Sequence, residues 1–371
     1  MRVCFIVGEI FHWGTYGGFG ALTRVIGREL VKRKIEVYVV MPQSSVGQRR
    51  IETLDGMIIL SVPSNDRYFS LVPSLRSRSF LKLCDADIYH SEEPSVATYI
   101  ATKVNSRRRH IVTLQDPRDM DDMKIQLASA RSERNFQMKW LVRNKYRTEG
   151  FLIKKALNRA DAVFSQAKYV IPKATKMYSL KKTPTFLPNP VEIPLRKMRK
   201  AESPTVCFLA RWDPLKRIEI FFDLAKRFPS IKFIALGKSH CKDRDNSLRR
   251  KWSALPNVEM PGFVSEQKKS EILEKSWIMV NTSLRECLPV AFLEACAHKC
   301  AILSCNNPDD FASDFGFYVR NGDFSAGLRN LLEDMRWKEK GERGFEYVKE
   351  VHELRKVIDQ HIDIYNRLLS N

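Results

Sequence analysis

The strongest constraint on the fold of this chain is a regular alternation of short apolar runs with stretches of helical periodicity. Runs such as Val3–Val7, Val37–Met41 and Ile111–Leu114 are four or five residues long and rich in branched aliphatic side chains. Segments with helical spacing of apolar residues lie between several of them, for example Ala21–Lys34 and Ser95–Val104. This alternation is typical of a parallel sheet covered by helices on both faces, so it predicts an α/β fold.

The alternation is interrupted over residues 189–204, where three prolines and a basic cluster show no periodicity. Such a stretch is typical of a linker between domains. Apolar runs then resume, from Val206–Leu209 to Gly316–Val319, and the stretch from Trp337 to Leu369 is again helical in pattern. A chain of 371 residues can bury two cores of ordinary domain size. We therefore predict a domain of residues 1–190, a linker of 191–204, a second domain of 205–352 and a closing helix of 353–371.

Several classes of protein are disfavoured by the composition. The chain starts directly with an apolar strand pattern, and no apolar run reaches the roughly 18 residues of a membrane span. We therefore expect a cytoplasmic protein without a signal peptide. The eight cysteines are scattered and form no CxxC pair, as expected of reduced thiols. Cys296, His298, Cys300 and Cys305 lie close together, but their spacing fits no zinc finger or ribbon, and we predict no metal site.

The net charge of +20 is concentrated in the first half of the chain. Residues 1–190 contain 32 Lys and Arg against 17 Asp and Glu, a net +15. An anionic partner would explain this asymmetry: a phospholipid surface, a phosphorylated acceptor or nucleic acid. Nucleic acid ranks last because no RNA- or DNA-binding motif accompanies the charge. A solvated basic face without a partner is the simpler alternative.

Two basic segments also carry aromatic and aliphatic residues, namely Asp66–Lys82 and Arg131–Arg159. The second has nine Lys and Arg against two Glu. Basic amphipathic helices with aromatic anchors are typical of anionic membrane interfaces. An ordinary packed helix with a solvated basic face has the same pattern, so both interpretations stay open.

The clearest candidate site lies in the segment Asn281–Cys296. The pattern predicts a buried strand, a loop that carries Glu286, and a helix with Pro289 as its first residue. Glu294 would then lie about a turn and a half into this helix. Both carboxylates would be presented at the carboxyl edge of the sheet, where α/β folds bind ligands, and the helix start suits phosphate groups. Two solvated surface carboxylates are the alternative.

Two loops near other strand ends add possible ligand contacts. Arg211 and Lys216 follow the apolar run Val206–Leu209, and two fixed cations there can neutralise a departing diphosphate. Gly18 and Gly20 follow the first strand, where glycine allows the backbone to approach a ligand closely. The third glycine of a dinucleotide fingerprint is absent, so that motif is not predicted. A solvated pair of cations and a plain turn are the respective alternatives.

In their order along the chain these elements resemble the family 4 glycosyltransferases, and the resemblance spans almost the whole sequence. The Glu286 to Glu294 spacing matches the E-x7-E signature of that family. The other matching segments are Gly17–Gly18, Asp87–His90, Leu187–Val191, Ala210–Lys216, Val258–Val264 and the closing stretch from Gly344 to Tyr365.

The resemblance implies a GT-B fold, in which two Rossmann-like parallel-sheet domains face a central cleft and the C-terminal helix crosses back to the first domain. Residues 1–190 would bind the acceptor, and residues 205–352 would bind a UDP- or GDP-sugar donor. It also implies a metal-independent hexosyltransferase without a cofactor that retains configuration at the anomeric carbon. The acceptor would be a glycan or a lipid-linked sugar of cell-surface polysaccharide or glycolipid synthesis. The basic first domain would then dock peripherally on the inner face of the membrane.

The family's residue roles transfer to matching positions here. Arg211 and Lys216 would bind the donor diphosphate and, with Glu286, support catalysis. Glu286 would hold the donor sugar and Glu294 the ribose hydroxyls. The resemblance assigns further donor contacts to Gly18, Leu288 and Pro289, and candidate sugar or acceptor contacts to His90, Gln115 and Asp116.

Two positions depart from the family pattern. Cys287 replaces the usual glycine after the first glutamate, and Gln115 stands where many relatives place a histidine that contacts the sugar. Glutamine can donate and accept hydrogen bonds but does not titrate near neutrality. These departures support an alternative function: a GT-B-fold binding protein or partner subunit that has lost catalysis.

Overall fold

The computed structural model describes residues 1–12, 17–43, 48–64, 69–129, 148–196 and 198–370, and of residues 126–129 only the backbone. These residues form two compact units. The first unit comprises Met1–Pro117, Glu133–Pro190 and Arg355–Asn371, and the second comprises Arg118–Ser132 and Val191–Leu354. Most of the predicted basic segment Arg131–Arg159, up to residue 147, and residues 66–68 of the other lie outside the described residues.

The first unit contains a mixed eight-stranded sheet, and helices connect several of its strands. Its strands are β1 (Arg2–Ile6), β2 (Glu36–Pro42), β3 (Ile51–Leu54), β4 (Met57–Val62), β5 (Ile88–Ser91), β6 (Arg109–Leu114), β7 (Ala162–Ser165) and β8 (Thr185–Phe186). Its helices are α1 (Gly18–Lys32), α2 (Leu71–Cys84), α3 (Val96–Val104), α5 (148–157), α6 (Ile171–Tyr178) and α14 (Leu354–Ser370).

The strand order in this sheet is β3-β4-β2-β1-β5-β6-β7-β8, and every pair except β3–β4 is parallel. The order runs outward in both directions from β1, as in Rossmann-like folds. A core that includes Cys4, Ile6, Leu60 and Tyr89 lies between the sheet and the helices α2 and α3. The strand order switches between β1 and β5, because strands are added on one side of β1 up to β4 and on its other side from β5 onward. Such a switch point places a ligand-binding crevice outside the carboxyl ends of these two strands.

The antiparallel strand β3 is a feature that the apolar runs did not predict. It joins β4 through Asp55 and Gly56, whose φ angles of 49° and 83° are both positive. A two-residue hairpin of this kind requires positive φ at both central residues, and an Asp-Gly pair supplies it at low cost. The dipeptide is therefore the sequence signal that identifies this hairpin.

The second unit contains a parallel six-stranded sheet. Its strands are β9 (Thr205–Leu209), β10 (Lys232–Leu236), β11 (Val258–Gly262), β12 (Ile278–Asn281), β13 (Ala301–Ser304) and β14 (Gly316–Tyr318). Its helices are α4 (Met120–Ser129), α7 (Ile218–Arg227), α8 (Lys242–Trp252), α9 (Glu266–Lys275), α10 (Val290–Ala297), α11 (Phe311–Asp314), α12 (Phe324–Leu332) and α13 (Arg336–Val351), with 3-10 turns at Pro214–Lys216, Pro308–Asp310 and Glu333–Met335.

The order of this sheet, β11-β10-β9-β12-β13-β14, is that of a Rossmann fold. Aromatic side chains dominate its core, among them Phe208, Phe221, Phe233 and Trp212, which are fully buried. The strand order switches between β9 and β12, because β10 and β11 lie on one side of β9 and β12 to β14 lie on the other. The loops that follow these two strands therefore flank the crevice where a ligand is expected.

The predicted closing helical stretch divides into α13 and α14. Between them, the backbone of His352 and Leu354 is hydrogen bonded to Val191, with N–O distances of 2.8 and 3.0 Å. This short pairing lies where the helix is interrupted. No local sequence pattern predicts the interruption. Within the described ranges, no helix has the length and apolar character that crossing a membrane requires.

Candidate active site

The candidate donor site lies in the second unit, at the carboxyl ends of β9 and β12. The loop after β9 carries Arg211 and Lys216, and the loop after β12 carries Glu286. Both loops flank the point where the strand order reverses. Glu286 lies in a loop at the carboxyl edge of the sheet, as the sequence predicted. Side chains that are far apart in sequence thereby meet at one edge of the sheet.

Lys216 and Glu286 form an ion pair with an Nζ–Oε1 distance of 2.5 Å. Asn281 Nδ2 and Ser283 Oγ also donate to this oxygen, at 3.1 and 2.5 Å. The side chains of Lys216 and Glu286 are 18% and 10% exposed, so the pair is largely shielded from solvent. Three donors that converge on one oxygen hold Glu286 as an oriented carboxylate.

Backbone contacts fix the two loops against each other. Thr282 Oγ1 donates to the carbonyl oxygens of Lys216 and Arg217, at 2.6 and 2.9 Å, and Arg217 Nε donates to the carbonyl of Thr282 at 2.7 Å. The amide of Leu284 donates to the carbonyl of Leu215 at 2.9 Å. The separation of Lys216 and Glu286 is therefore set by the scaffold as well as by their charges.

Arg211 is the more accessible cation of the site. Its side chain is 46% exposed, with Nε 3.1 Å from the Asp213 carboxylate and Nη1 3.1 Å from His240 Nε2. The preceding backbone packs against Gly237, whose φ is +108°, and a Cβ atom there would lie 2.0 Å from the Ala210 carbonyl oxygen. Glycine at this position thus allows the loops after β9 and β10 to approach each other closely.

Helix α10 begins at the predicted site, with one residue of difference. Pro289 is the N-cap and Val290 is the first helical residue, so the prediction of Pro289 inside the helix was wrong by one position. Proline still suits this place because the amide that it lacks has no partner within the helix. Leu288 and Cys287 are buried beside it. The helix has no acidic residue in its first turn, which keeps its positive end suited to phosphate.

Glu294 lies on α10 and pairs with a residue that the sequence did not single out. Lys269 Nζ on α9 is 2.5 Å from Glu294 Oε1 and 2.6 Å from Glu266 Oε2. Burial raises the pKa of Glu294, and Lys269 acts in the opposite direction. Burial by itself would lower the pKa of Lys269, but Glu294 and Glu266 outweigh it, and the pKa is raised. No sequence signal links these two positions, because the contact is tertiary.

A second unpredicted ion pair adjoins Glu286. Arg285 Nε lies 2.7 Å from Asp122 Oδ1, and both side chains are largely buried. Asp122 belongs to α4, which packs with the second unit although the chain on either side of it belongs to the first. This pair restrains the loop that presents Glu286.

Gly18 belongs to the first unit and is the first residue of α1, so the prediction that it lies in the loop was wrong. The Glu9 carboxylate lies at this helix start, where Oε1 accepts from the Gly20 amide at 3.3 Å. A Cβ atom at Gly17, the N-cap, would lie 1.8 Å from Glu9 Oε1. The glycines therefore provide a close approach of backbone to a carboxylate of the chain itself.

His90 and Gln115 are buried in the first unit within a polar network. The two ring nitrogens of His90 lie 2.8 Å from Tyr365 Oη and 2.8 Å from Thr113 Oγ1. Burial and the neighbouring His361 lower the pKa of His90 well below its ordinary value. The ring is thus neutral and fully engaged by protein groups. Its role as a sugar or acceptor contact stays a prediction without geometric support.

Gln115 exchanges hydrogen bonds with Asn189 and donates another to a carboxylate. Its Nε2 donates to Glu92 Oε2 at 2.9 Å and to Asn189 Oδ1 at 3.1 Å, and Asn189 Nδ2 donates back at 3.0 Å. Glu93 Oε2 accepts from the amides of Gln115 and Asp116, both at 2.9 Å. These contacts hold the Gln115 side chain at the strand ends. The roles of Gln115 and Asp116 as sugar or acceptor contacts stay predictions.

Glu92 is the member of this network with an unsatisfied atom. Its Oε1 is buried without a hydrogen-bond partner among the described residues, 3.8 Å from His90 Nε2. Burial raises the pKa of Glu92 to about 7, although the hydrogen bond from Gln115 lowers it in part. Its position directly after β5 could have suggested a site residue, but nothing in the sequence indicated its burial.

Two protein-family models match this two-unit α/β chain. The family model for glycosyl transferases group 1 matches residues 193–341, and that for Glycosyltransferase Family 4 matches residues 16–193. The two matches adjoin and together span nearly the whole chain. The protein therefore belongs to the family 4 glycosyltransferases, as the sequence resemblance indicated. Comparison with curated protein sequences gives no match.

Solved structures of similar fold agree with this assignment. Sucrose-phosphate synthase from Thermosynechococcus elongatus is 14% identical with a TM-score of 0.75, and covers 100% of this chain and 99% of its own. HepE from Anabaena, solved in complex with UDP-glucose, is 13% identical with a TM-score of 0.73, at 100% and 99% coverage. The lipopolysaccharide outer core galactosyltransferase WaaB is 13% identical with a TM-score of 0.62, at 98% and 99% coverage. At these identities the likeness establishes the GT-B fold class.

Proposed function

We propose that this protein transfers a hexosyl unit from a UDP- or GDP-sugar to a glycan or lipid-linked acceptor in cell-surface polysaccharide or glycolipid synthesis. The ion pair of Lys216 and Glu286 at the switch point of the second sheet carries this proposal. It combines a cation for a phosphate group with an oriented carboxylate for a sugar hydroxyl. Family membership and the UDP-glucose bound to HepE give independent support.

In the proposed reaction the donor diphosphate lies against Arg211, Lys216 and the start of α10. Cleavage of the anomeric C–O bond leaves its electron pair on the distal phosphate oxygen, and the two cations stabilise this developing charge. The acceptor hydroxyl attacks the anomeric carbon from the same face and gives its proton to the leaving phosphate, so configuration is retained. These steps use neither a metal nor a cofactor. Glu286 orients the sugar, and Glu294 accepts hydrogen bonds from the ribose.

The acceptor belongs to the first unit in this proposal, where the sequence places the excess of positive charge. A lipid-linked acceptor would place the enzyme peripherally at the inner face of the cytoplasmic membrane. Anionic lipid attracts such a unit with about 1 kcal/mol for each Lys or Arg near the surface.

A panel of UDP- and GDP-hexoses tests the proposal. Each nucleotide sugar is scored for binding to the protein and for slow hydrolysis that releases the nucleotide. We expect one nucleotide class to bind, and Glu286→Gln to slow release about 100-fold, the scale for loss of one preorganised polar contact. Lys216→Met should weaken binding, whereas Lys226→Met, which removes an exposed charge of α7, should not. Binding without release in the presence of any acceptor would favour the catalytically lapsed binding protein. Failure to bind any donor would overturn the proposal.

A further inference from the structure

Helix α2 presents four of its apolar side chains outward. Leu71, Val72, Leu75 and Leu83 are between 48% and 59% exposed. The opposite face buries Leu81 together with smaller or polar residues, among them Ser74 and Ser77. The outer face of a helix that packs against a core is normally polar, so the four exposed apolar side chains need an explanation.

The buried serines are satisfied within α2 itself. Ser74 Oγ donates to the carbonyl of Ser70 at 2.7 Å, and Ser77 Oγ donates to the carbonyl of Ser74 at 2.6 Å. The helix is therefore fixed in this orientation without any strain from unpaired polar groups. At 100° per residue, the exposed residues fall within an arc of about 160°. The apolar side chains thus share one continuous face.

Cations are interspersed on and beside this face. Arg76, Arg78 and Lys82 of α2, together with Arg50, line an open groove of about 820 Å³, and its lining contains no acidic residue among those that the structure describes. Among the described residues no carboxylate pairs with any of the four, and Arg76 donates to the Pro63 carbonyl. Uncompensated cations next to exposed apolar side chains match the chemistry of an anionic lipid interface, where phosphates lie above acyl chains.

We propose that the outward face of α2 and the adjoining basic groove form a docking surface for an anionic phospholipid bilayer. The apolar side chains would enter the boundary between headgroups and acyl chains, and the four cations would contact lipid phosphates. This inference rests on the proposed function, because it locates the membrane contact that a lipid-linked acceptor requires. An acidic protein or a second copy of the chain is the alternative occupant, and the experiment below distinguishes both from a bilayer.

Co-sedimentation with vesicles tests the proposal with the full chain. We expect binding to vesicles of phosphatidylcholine and phosphatidylglycerol, weaker binding at high salt, and little binding to phosphatidylcholine alone. Arg76→Gln/Arg78→Gln/Lys82→Gln should lower the affinity roughly 100-fold, at about fivefold for each charge near the surface. Leu71→Ser/Leu75→Ser/Leu83→Ser should also lower it, because these side chains are already exposed and their loss leaves the core intact.

A matched control removes three exposed charges of the second unit: Lys226→Gln/Arg250→Gln/Lys275→Gln. It should bind vesicles like the wild type. Equal binding to neutral vesicles, or unchanged binding by both α2 variants, would overturn the proposal. So would a change of oligomeric state in the leucine variant without a change in vesicle binding, since α2 would then contact a second copy. UDP and GDP titrations without lipid are run on the same samples, so that failure of membrane docking is distinguished from failure of the proposed function.

Discussion

Replacing Glu92 with glutamine tests the account of the buried network in the first unit. The pKa of Glu92 is about 7 in the folded protein, against an ordinary value of 4.5, because the carboxyl is buried. The folded state therefore binds more protons than the unfolded chain between these two pH values. It follows that the free energy of unfolding falls as the pH rises through this window. Below 4.5 the contribution is fully present, and above 7 it has been lost.

The size of the effect follows from the two pKa values. The difference between the two pKa values corresponds to about 3 kcal/mol in total, most of which falls between pH 5 and pH 8. Glu92→Gln keeps an oxygen for the hydrogen bond from Gln115 and cannot ionise. The free energy of unfolding of this variant, relative to the wild type, should therefore rise by about 2–3 kcal/mol from pH 5 to pH 8.

Urea unfolding of both proteins across this pH range provides the measurement. The difference between variant and wild type isolates Glu92 from the buried histidines, which act with the opposite sign: burial lowers the pKa of His361 to about 4, so its contribution is lost as the pH falls below its unfolded value. Asp363→Asn, at an exposed site of α14, is the control and should stay within about 0.5 kcal/mol. A pH-independent difference for Glu92→Gln would refute the reasoning.

Three further substitutions test the scaffold of the second unit. Gly237→Ala should weaken nucleotide binding in titration calorimetry and destabilise the unit by more than about 1 kcal/mol, because its Cβ would meet the Ala210 carbonyl at positive φ; unchanged affinity would contradict the proposed loop geometry. Asp122→Asn breaks the pair with Arg285 and should weaken donor binding about tenfold with a smaller effect on stability; an effect on thermal unfolding alone would assign the pair a purely structural role. Lys200→Met removes donors to carbonyls at the ends of α9 and α10, including a 2.6 Å contact with His298, and should lower the free energy of unfolding in urea by about 2 kcal/mol; a loss below about 0.5 kcal/mol would show that solvent satisfies those carbonyls instead.

Much of the fold could be predicted because its signals are local. The strands of both sheets are short apolar runs, and each prediction fell within two residues of the observed limits where the run was identified. The hairpin at Asp55 and Gly56 was missed although its dipeptide signal is present. The break between α13 and α14 had no local signal, since it depends on pairing with Val191.

In the candidate site, too, residues with a local sequence signal could be predicted and residues placed by tertiary packing could not. Lys216 and Glu286 were identified from motif and strand position, and the structure brings them into contact. Lys269, which pairs with Glu294, and Asp122, which pairs with Arg285, come from distant segments and could be found only from tertiary packing. For His90 the family motif identified the residue but gave no indication that its side chain is fully buried.

Calorimetric titration of UDP and GDP into the wild type and into Arg211→Gln/Lys216→Met tests whether the donor diphosphate binds to these two cations. We expect one nucleoside diphosphate to bind the wild type, and loss of the two cations to weaken this binding by at least about 100-fold, because charged hydrogen bonds contribute about 1.5–3 kcal/mol each. The corresponding nucleoside without phosphates should bind both proteins weakly and equally. Unchanged diphosphate affinity in a correctly folded variant would contradict a donor site at the carboxyl ends of β9 and β12.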